Sequence, residues 1–251
     1  WQGETPSALA VYEKLVALAP DDQEVLVRAG GVAKEAGALD QAARWLEQAL
    51  RLDPEHRLAA EALGEVYVRR GEQQRALEMF KRATGYRPDD PASARALGRV
   101  LSEYSLHREA LTVYQQARER SGDPTLLAVE MGRAWVGLLD YRRATEEYLN
   151  ALADPLRDQT TLVSYELTKL ARDEVAGELV VAALDDWLRR PQVTAGQRMA
   201  AARAYLAAGR TEAALDTLHA LGPDASDAVL ELAWDADLGG DGDLAARLYE
   251  L

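Results

Sequence analysis

The sequence predicts an all-α protein, a solenoid of stacked antiparallel helix pairs in about seven units with partial units at both ends. Three observations predict it. Alanine recurs at Ala8, Ala42, Ala76, Ala110 and Ala144, each step being 34 residues. In phase with it run an aromatic or leucine at Tyr12, Leu46, Phe80, Tyr114 and Tyr148, and a glycine at Gly30, Gly64, Gly98 and Gly132. Proline closes three units, at Pro20, Pro54 and Pro88. Separate columns that hold phase without an insertion mark a repeat array, for which the prior of about one domain per 150 residues does not apply.

Taken in order, residues 6–19 read as the second helix of a unit whose first helix lies upstream, with Thr5 as N-cap and Pro6 in the first turn. Full units follow at 23–56, 57–90, 91–124 and 125–158. The unit at 57–90 shows the plan. Leu63, Val66 and Tyr67 fall at helical spacing between Arg57 and Arg70, and Gly71 stands where a C-terminal glycine is expected. The second helix carries Ala76, Leu77, Phe80 and Ala83 on one face and ends before Pro88. Asp89 and Asp90 can then cap the next helix, as can the acids of Pro20-Asp21-Asp22 and Asp53-Pro54.

Beyond 158 the pattern loosens. Residues 159–194 still read as two helices, but Tyr165 and Glu166 replace the Leu-Gly pair, and the second helix runs long through Leu184, Trp187 and Leu188. Ala202, Gly209, Ala214 and Leu218 mark a unit at 195–225, and Ala233, Gly240, Ala245 and Tyr249 a truncated one at 226–251. Arrays usually end in a polar capping element. More sequence is therefore expected on both sides.

Composition excludes several function classes. Cysteine is absent, which removes disulfides, thiolate metal sites and cysteine nucleophiles. A net charge of −13 argues against nucleic-acid binding, which needs a basic face. No apolar run approaches the roughly 18 residues of a membrane span. The alphabet has no isoleucine, and 25 of the 29 basic residues are arginine, which suggests a GC-rich bacterial genome.

Leu63, Gly64, Tyr67, Ala76, Phe80, Ala83 and Pro88 resemble the signature of the tetratricopeptide repeat, and the resemblance covers nearly the whole chain. It implies a right-handed superhelix. In this plan Gly64 and Ala76 are small so that two helix backbones can approach, Tyr67 and Phe80 fill the remaining space, and Ala83 lets the next unit stack.

Reactive constellations are not evident. His56, His107 and His219 lie far apart, and no zinc-protease, nucleophile-elbow or P-loop pattern occurs. The acidic pairs Asp185-Asp186 and Glu146-Glu147 point about 100° apart on a helix and read as solvated faces. Asp237, Asp241, Gly242 and Asp243 resemble part of a calcium loop, but Gly239 and Leu248 stand where ligands are needed. Catalytic residues, metals and cofactors are therefore not expected in this chain.

The resemblance also implies where a partner would bind. In the family, the second, fifth, ninth, twelfth and thirteenth positions of each unit line the concave face. In this sequence they include Lys34, Leu58, Glu61, Glu65, Arg95, Arg99, Val129, Arg133 and Val136. Arg95, Arg99 and Arg133 form a candidate basic island for an acidic peptide or a chain's C-terminus. Pairing with Glu61, Glu65, Glu103 or Glu130 is the structural alternative. Val163, Leu167, Leu170, Met199, Leu206, Leu230 and Trp234 form a candidate apolar surface for a partner segment, although a shift of one register position would return them to the core. The lysine and asparagine clamp of the family's chaperone-binding members is not matched, since Val27, Gly31, Glu61 and Glu65 occupy its positions.

The expected function is a non-enzymatic interaction scaffold in a bacterial envelope, secretion or export assembly, located in the periplasm, envelope or cytoplasm. The alternative is a peptide-sensing regulatory module attached to an output domain outside this chain. The partner is a protein or peptide, with self-association open.

Overall fold

The computed structural model describes residues 5–154, 159–222 and 226–251. Unit boundaries expected at 158 and 225 fall outside the described residues, as does the capping side chain of Thr5. Among the described residues there are fifteen helices and no strand. The chain is an all-α repeat protein, divided into two compact units, Trp1–Ser121 and Gly122–Leu251.

The first unit holds α1 (Thr5–Leu18), α2 (Gln23–Glu35), α3 (Leu39–Leu52), α4 (Arg57–Arg69), α5 (Gln73–Thr84), α6 (Pro91–Glu103) and α7 (His107–Ser121). The second holds α8 (Ala128–Gly137), α9 (Tyr141–Asn150), α10 (Thr160–Ala171), α11 (Ala176–Leu188), α12 (Ala195–Ala207), α13 (Thr211–His219), α14 (Ser226–Leu238) and α15 (Gly242–Tyr249). Helices pair in sequence order in the first unit, α2 with α3, α4 with α5 and α6 with α7, as α8 pairs with α9 in the second.

The glycine column sets the closeness of each pair. A Cβ built on Gly64 would lie 2.6 Å from the Phe80 ring, and one on Gly30 or Gly132 would lie 2.5 Å from Leu46 or Tyr148. Those are overlaps, so the large side chain sixteen residues downstream occupies the volume that a Cβ would need. The last unit shows the converse. Ala233 stands in the glycine column, and Tyr249 is exposed where Phe80 is fully buried.

The turn between paired helices is equally uniform. Gly37 and Gly71 adopt left-handed φ of 76°, and the same turn recurs 34 and 68 residues after Gly71 with Ser105 (φ 59°) and Leu139 (φ 61°). Its closing hydrogen bond, from Glu72 N–H to the Tyr67 carbonyl at 2.8 Å, repeats from Leu106 to Leu101 and from Asp140 to Trp135. The tertiary register thus imposes on a leucine a conformation that L-residues disfavour.

Helix starts follow the acidic punctuation. Asp22, Asp90 and Asp140 accept from backbone N–H groups of Val25, Ala92 and Arg143. At α4 the cap is instead His56, whose Nδ1 accepts from Ala59 N–H at 3.1 Å. Asp53 accepts from Glu55 N–H and from the Gln23 side chain.

Successive units are tied by polar contacts absent from the sequence reading. Gln48 donates to the Pro20 carbonyl and Arg82 to that of Pro54, both at 2.7 Å, and Asn150 to that of Pro124 at 2.8 Å. The Tyr67 hydroxyl donates to Glu47 at 2.7 Å and Tyr205 to Asp185 at 2.6 Å, each reaching back twenty residues. Burial and the adjacent carboxylate raise both phenols far above their ordinary range.

Pairing changes after α9. There α10 packs chiefly along α12, and α11 against α9, so the simple alternation of the first unit is lost.

Candidate functional site

The surface that could hold a partner is the outward face of the first helices, and the two units build it differently. In the first unit, Lys34 of α2 and Glu65 of α4 meet at 2.5 Å with side chains only 16% and 17% exposed. Arg69 completes the group, contacting Glu65 at 2.6 Å and the Lys34 carbonyl at 3.0 Å. Against the desolvation of its carboxyl, these cations hold Glu65 below the usual glutamate range. The Tyr104 phenol is raised by burial and by the carboxylates of Glu65, Glu61 and Glu103.

On α6, Arg95 and Arg99 are both exposed and one helical turn apart. Glu65, an expected structural partner, is engaged by Lys34 and Arg69. Arg99 makes no ion pair with another described residue. Arg133, the third member of the expected island, belongs to the second unit, where Glu166 of α10 holds it at 2.7 Å. That carboxylate was missed by the sequence reading, because it comes from the unit whose register had loosened.

The apolar candidates divide. Val129, Val163, Leu167 and Leu170 are buried in one core cluster with Tyr148, Leu184 and Tyr205. Met199 is buried in a second cluster with Leu218 and Leu232, and Leu206 is half-buried against the first. The expectation that these residues form an open apolar face is corrected: their side chains pack within the unit, those of α10 where α10 lies along α12 and Met199 against Leu218 and Leu232 of α13 and α14. Leu230 and Trp234 do stand exposed on α14, with Leu238 on the same stripe.

Several of the acidic and histidine candidates have structural partners, His56 as the cap of α4, whereas His107 Nδ1 is buried without a hydrogen-bond partner among the described residues. Asp185 accepts from Tyr205, and Asp186 pairs with Arg142 and Arg189. Asp241, considered as a calcium ligand, caps α15 by accepting from Leu244 N–H at 3.1 Å. Among the described residues no three His, Asp or Glu side chains are placed to hold a metal.

A family model described as tetratricopeptide repeat matches residues 2–66 and again residues 33–100. Among solved structures the chain is similar to MamA, at 22% identity over 60% of this chain and 88% of that one, with a TM-score of 0.41. It is similar also to YrrB, described as a TPR protein with an unusual peptide-binding site, at 18% identity over 96% and 98% of the two chains and a TM-score of 0.36. The APC/C hetero-tetramer Cut9-Hcn1 is similar at 17% identity over 99% of this chain and 46% of that one, with a TM-score of 0.40. Likenesses this distant say nothing about function. Comparison with curated proteins gives no match. Arrays of this repeat are in general scaffolds that bind proteins or peptides and are typically non-catalytic. No described helix is long and apolar enough to cross a membrane. The family match over residues 2–100, with the 34-residue columns that continue to Ala144 and the helix pairs those columns build, identifies the matched residues as tetratricopeptide repeats.

Proposed function

We propose that the chain is a non-enzymatic scaffold or adaptor that holds a partner protein or peptide on its first-helix faces, the concave side of the repeat, in a bacterial envelope, secretion or export assembly. The observation that carries the reading is α6. Arg95 and Arg99 point to solvent from one helix face of a chain whose net charge is −13. Surface ion pairs contribute about 0–1 kcal/mol each to stability, so folding alone gives little reason to keep two cations there. Guanidinium groups grip carboxylates bidentately, and the partner is accordingly an acidic segment or a chain terminus. The arginine-rich alphabet without isoleucine supports the bacterial setting.

The test is a pull-down titration with the partner recovered by affinity purification on the native chain. Double reversal, Arg95→Glu with Arg99→Glu, should weaken binding about tenfold or more and leave the helical circular dichroism intact. Equal affinity would retire α6 as the contact.

A further inference from the structure

We infer that the outer face of α14 is a docking surface for a cationic amphipathic segment, one with an apolar stripe flanked by lysine or arginine. Leu230, Trp234 and Leu238 are 49%, 64% and 76% exposed and follow one another at four-residue spacing. They therefore form a single stripe about 12 Å long, two turns of helix. Their own helix is not loose on the unit: Val229, Leu232 and Ala233 bury its opposite side against Leu218 and Leu248. The stripe is thus the face of α14 turned away from that core.

Leu230 also lines a cleft of about 520 Å³ whose other apolar walls are Leu218, Val229, Leu248, Tyr249 and Leu251, with His219 and Ser226 at its polar side. The stripe and the cleft meet at Leu230.

Charge selects the occupant. Asp227 and Asp237 lie among the apolar residues on the helical wheel, with Asp235 along one border beside Glu231, which Arg203 already pairs at 3.3 Å, and there is no lysine or arginine between Ala220 and Ala246. An apolar partner surface brought here must also satisfy Asp227, Asp235 and Asp237, and flanking cations do so. A second copy of this face, or an anionic lipid surface, meets like charge instead. The partner therefore carries the opposite pattern, helix laid against helix by its apolar side. The inference rests on the scaffold reading but not on α6, since the two surfaces share no residue and select opposite charge.

The experiment uses the full chain and two labelled synthetic peptides of about four helical turns. Both carry the same leucine and alanine face, one with lysine flanks and one with glutamate flanks. Fluorescence anisotropy should show the lysine peptide binding at least about tenfold tighter than the glutamate peptide, weakening as salt is raised. Trp234→Ala and Leu230→Ser should each reduce that binding about tenfold, as central apolar anchors do, with unchanged circular dichroism. Arg95→Glu with Arg99→Glu should leave it unchanged. Equal binding of both peptides, no binding of either, or indifference to Trp234→Ala overturns the inference. So does sedimentation showing that Trp234→Ala separates a dimer of the chain, or binding to phosphatidylserine vesicles lost with Trp234→Ala. A partner recovered by the native chain and released by the α6 reversal but not by Trp234→Ala would keep the scaffold reading and remove this one.

Discussion

The first helices of the two units carry different residues in the same columns. At the fifth position the sequence places Glu61 and Arg95 in the first unit and Val129 and Val163 beyond it, all 34 residues apart. The charged pair is exposed and the valines are buried. At the ninth position Arg99 is exposed, Arg133 is exposed and held by Glu166, and Leu167 is fully buried. The repeat plan alone does not make this face solvated. Where the column carries charge, polar groups such as Arg133 and Glu166 bridge adjacent first helices; where it carries valine and leucine on α10, the hydrophobic effect favours packing of α12 along that helix. On α14, by contrast, Leu230 and Trp234 are exposed.

The contrast at the ninth position is the sharpest to break. Leu167→Ala should cost about 2–5 kcal/mol in chemical denaturation, since it opens a cavity in a closed core. Arg99→Ala, in the same column, should stay within about 0.5 kcal/mol. Similar losses at both sites would mean that the two faces are built alike.

A smaller effect of opposite sign tests the shared turn. Leu139 is 69% exposed and holds a left-handed φ that Gly71 adopts freely in the corresponding turn. Leu139→Gly should stabilise the chain by about 0.5–1 kcal/mol, read as a higher denaturation midpoint, because relief of the left-handed strain exceeds the added unfolded-state entropy. A loss of stability would show that the leucine is held there by packing.

The smallest expected effect is a pH dependence common to both units. Hydrogen bonds from the Arg87 side chain and the Ala92 N–H lower the Asp90 carboxyl, as those from Gln23 and Glu55 lower Asp53 and those from Ala176 and Val175 lower Asp173. A depressed folded-state value stabilises above the unfolded value and loses that contribution as pH falls through the folded one. The thermal midpoint should be level from neutrality down to about pH 5 and fall below about pH 4. Asp90→Asn should flatten the fall.

Much of the fold was legible because the interactions that encode it are local or lie at fixed spacing. The glycine column, the aromatic sixteen residues later and the aspartate before a helix each act within one unit, so a single sequence exposes them. The cap at His56 escaped notice because imidazole is an uncommon cap, and the tie from Arg82 to the Pro54 carbonyl because it joins two units through a backbone atom. The candidate site was less legible. Val163 and Leu167 could be read as an open apolar face or as core, and both readings satisfy the same helical period.

The sequence by itself determined the helix pairs, their turns and their period, since steric fit between a glycine and the side chain facing it is specified by residue identity. Which first-helix faces stay open was decided only in three dimensions, by the packing of α10 along α12. Burial depends on what a neighbouring helix covers, and that neighbour is chosen by the sum of apolar contacts across the unit, which no single column of the repeat records.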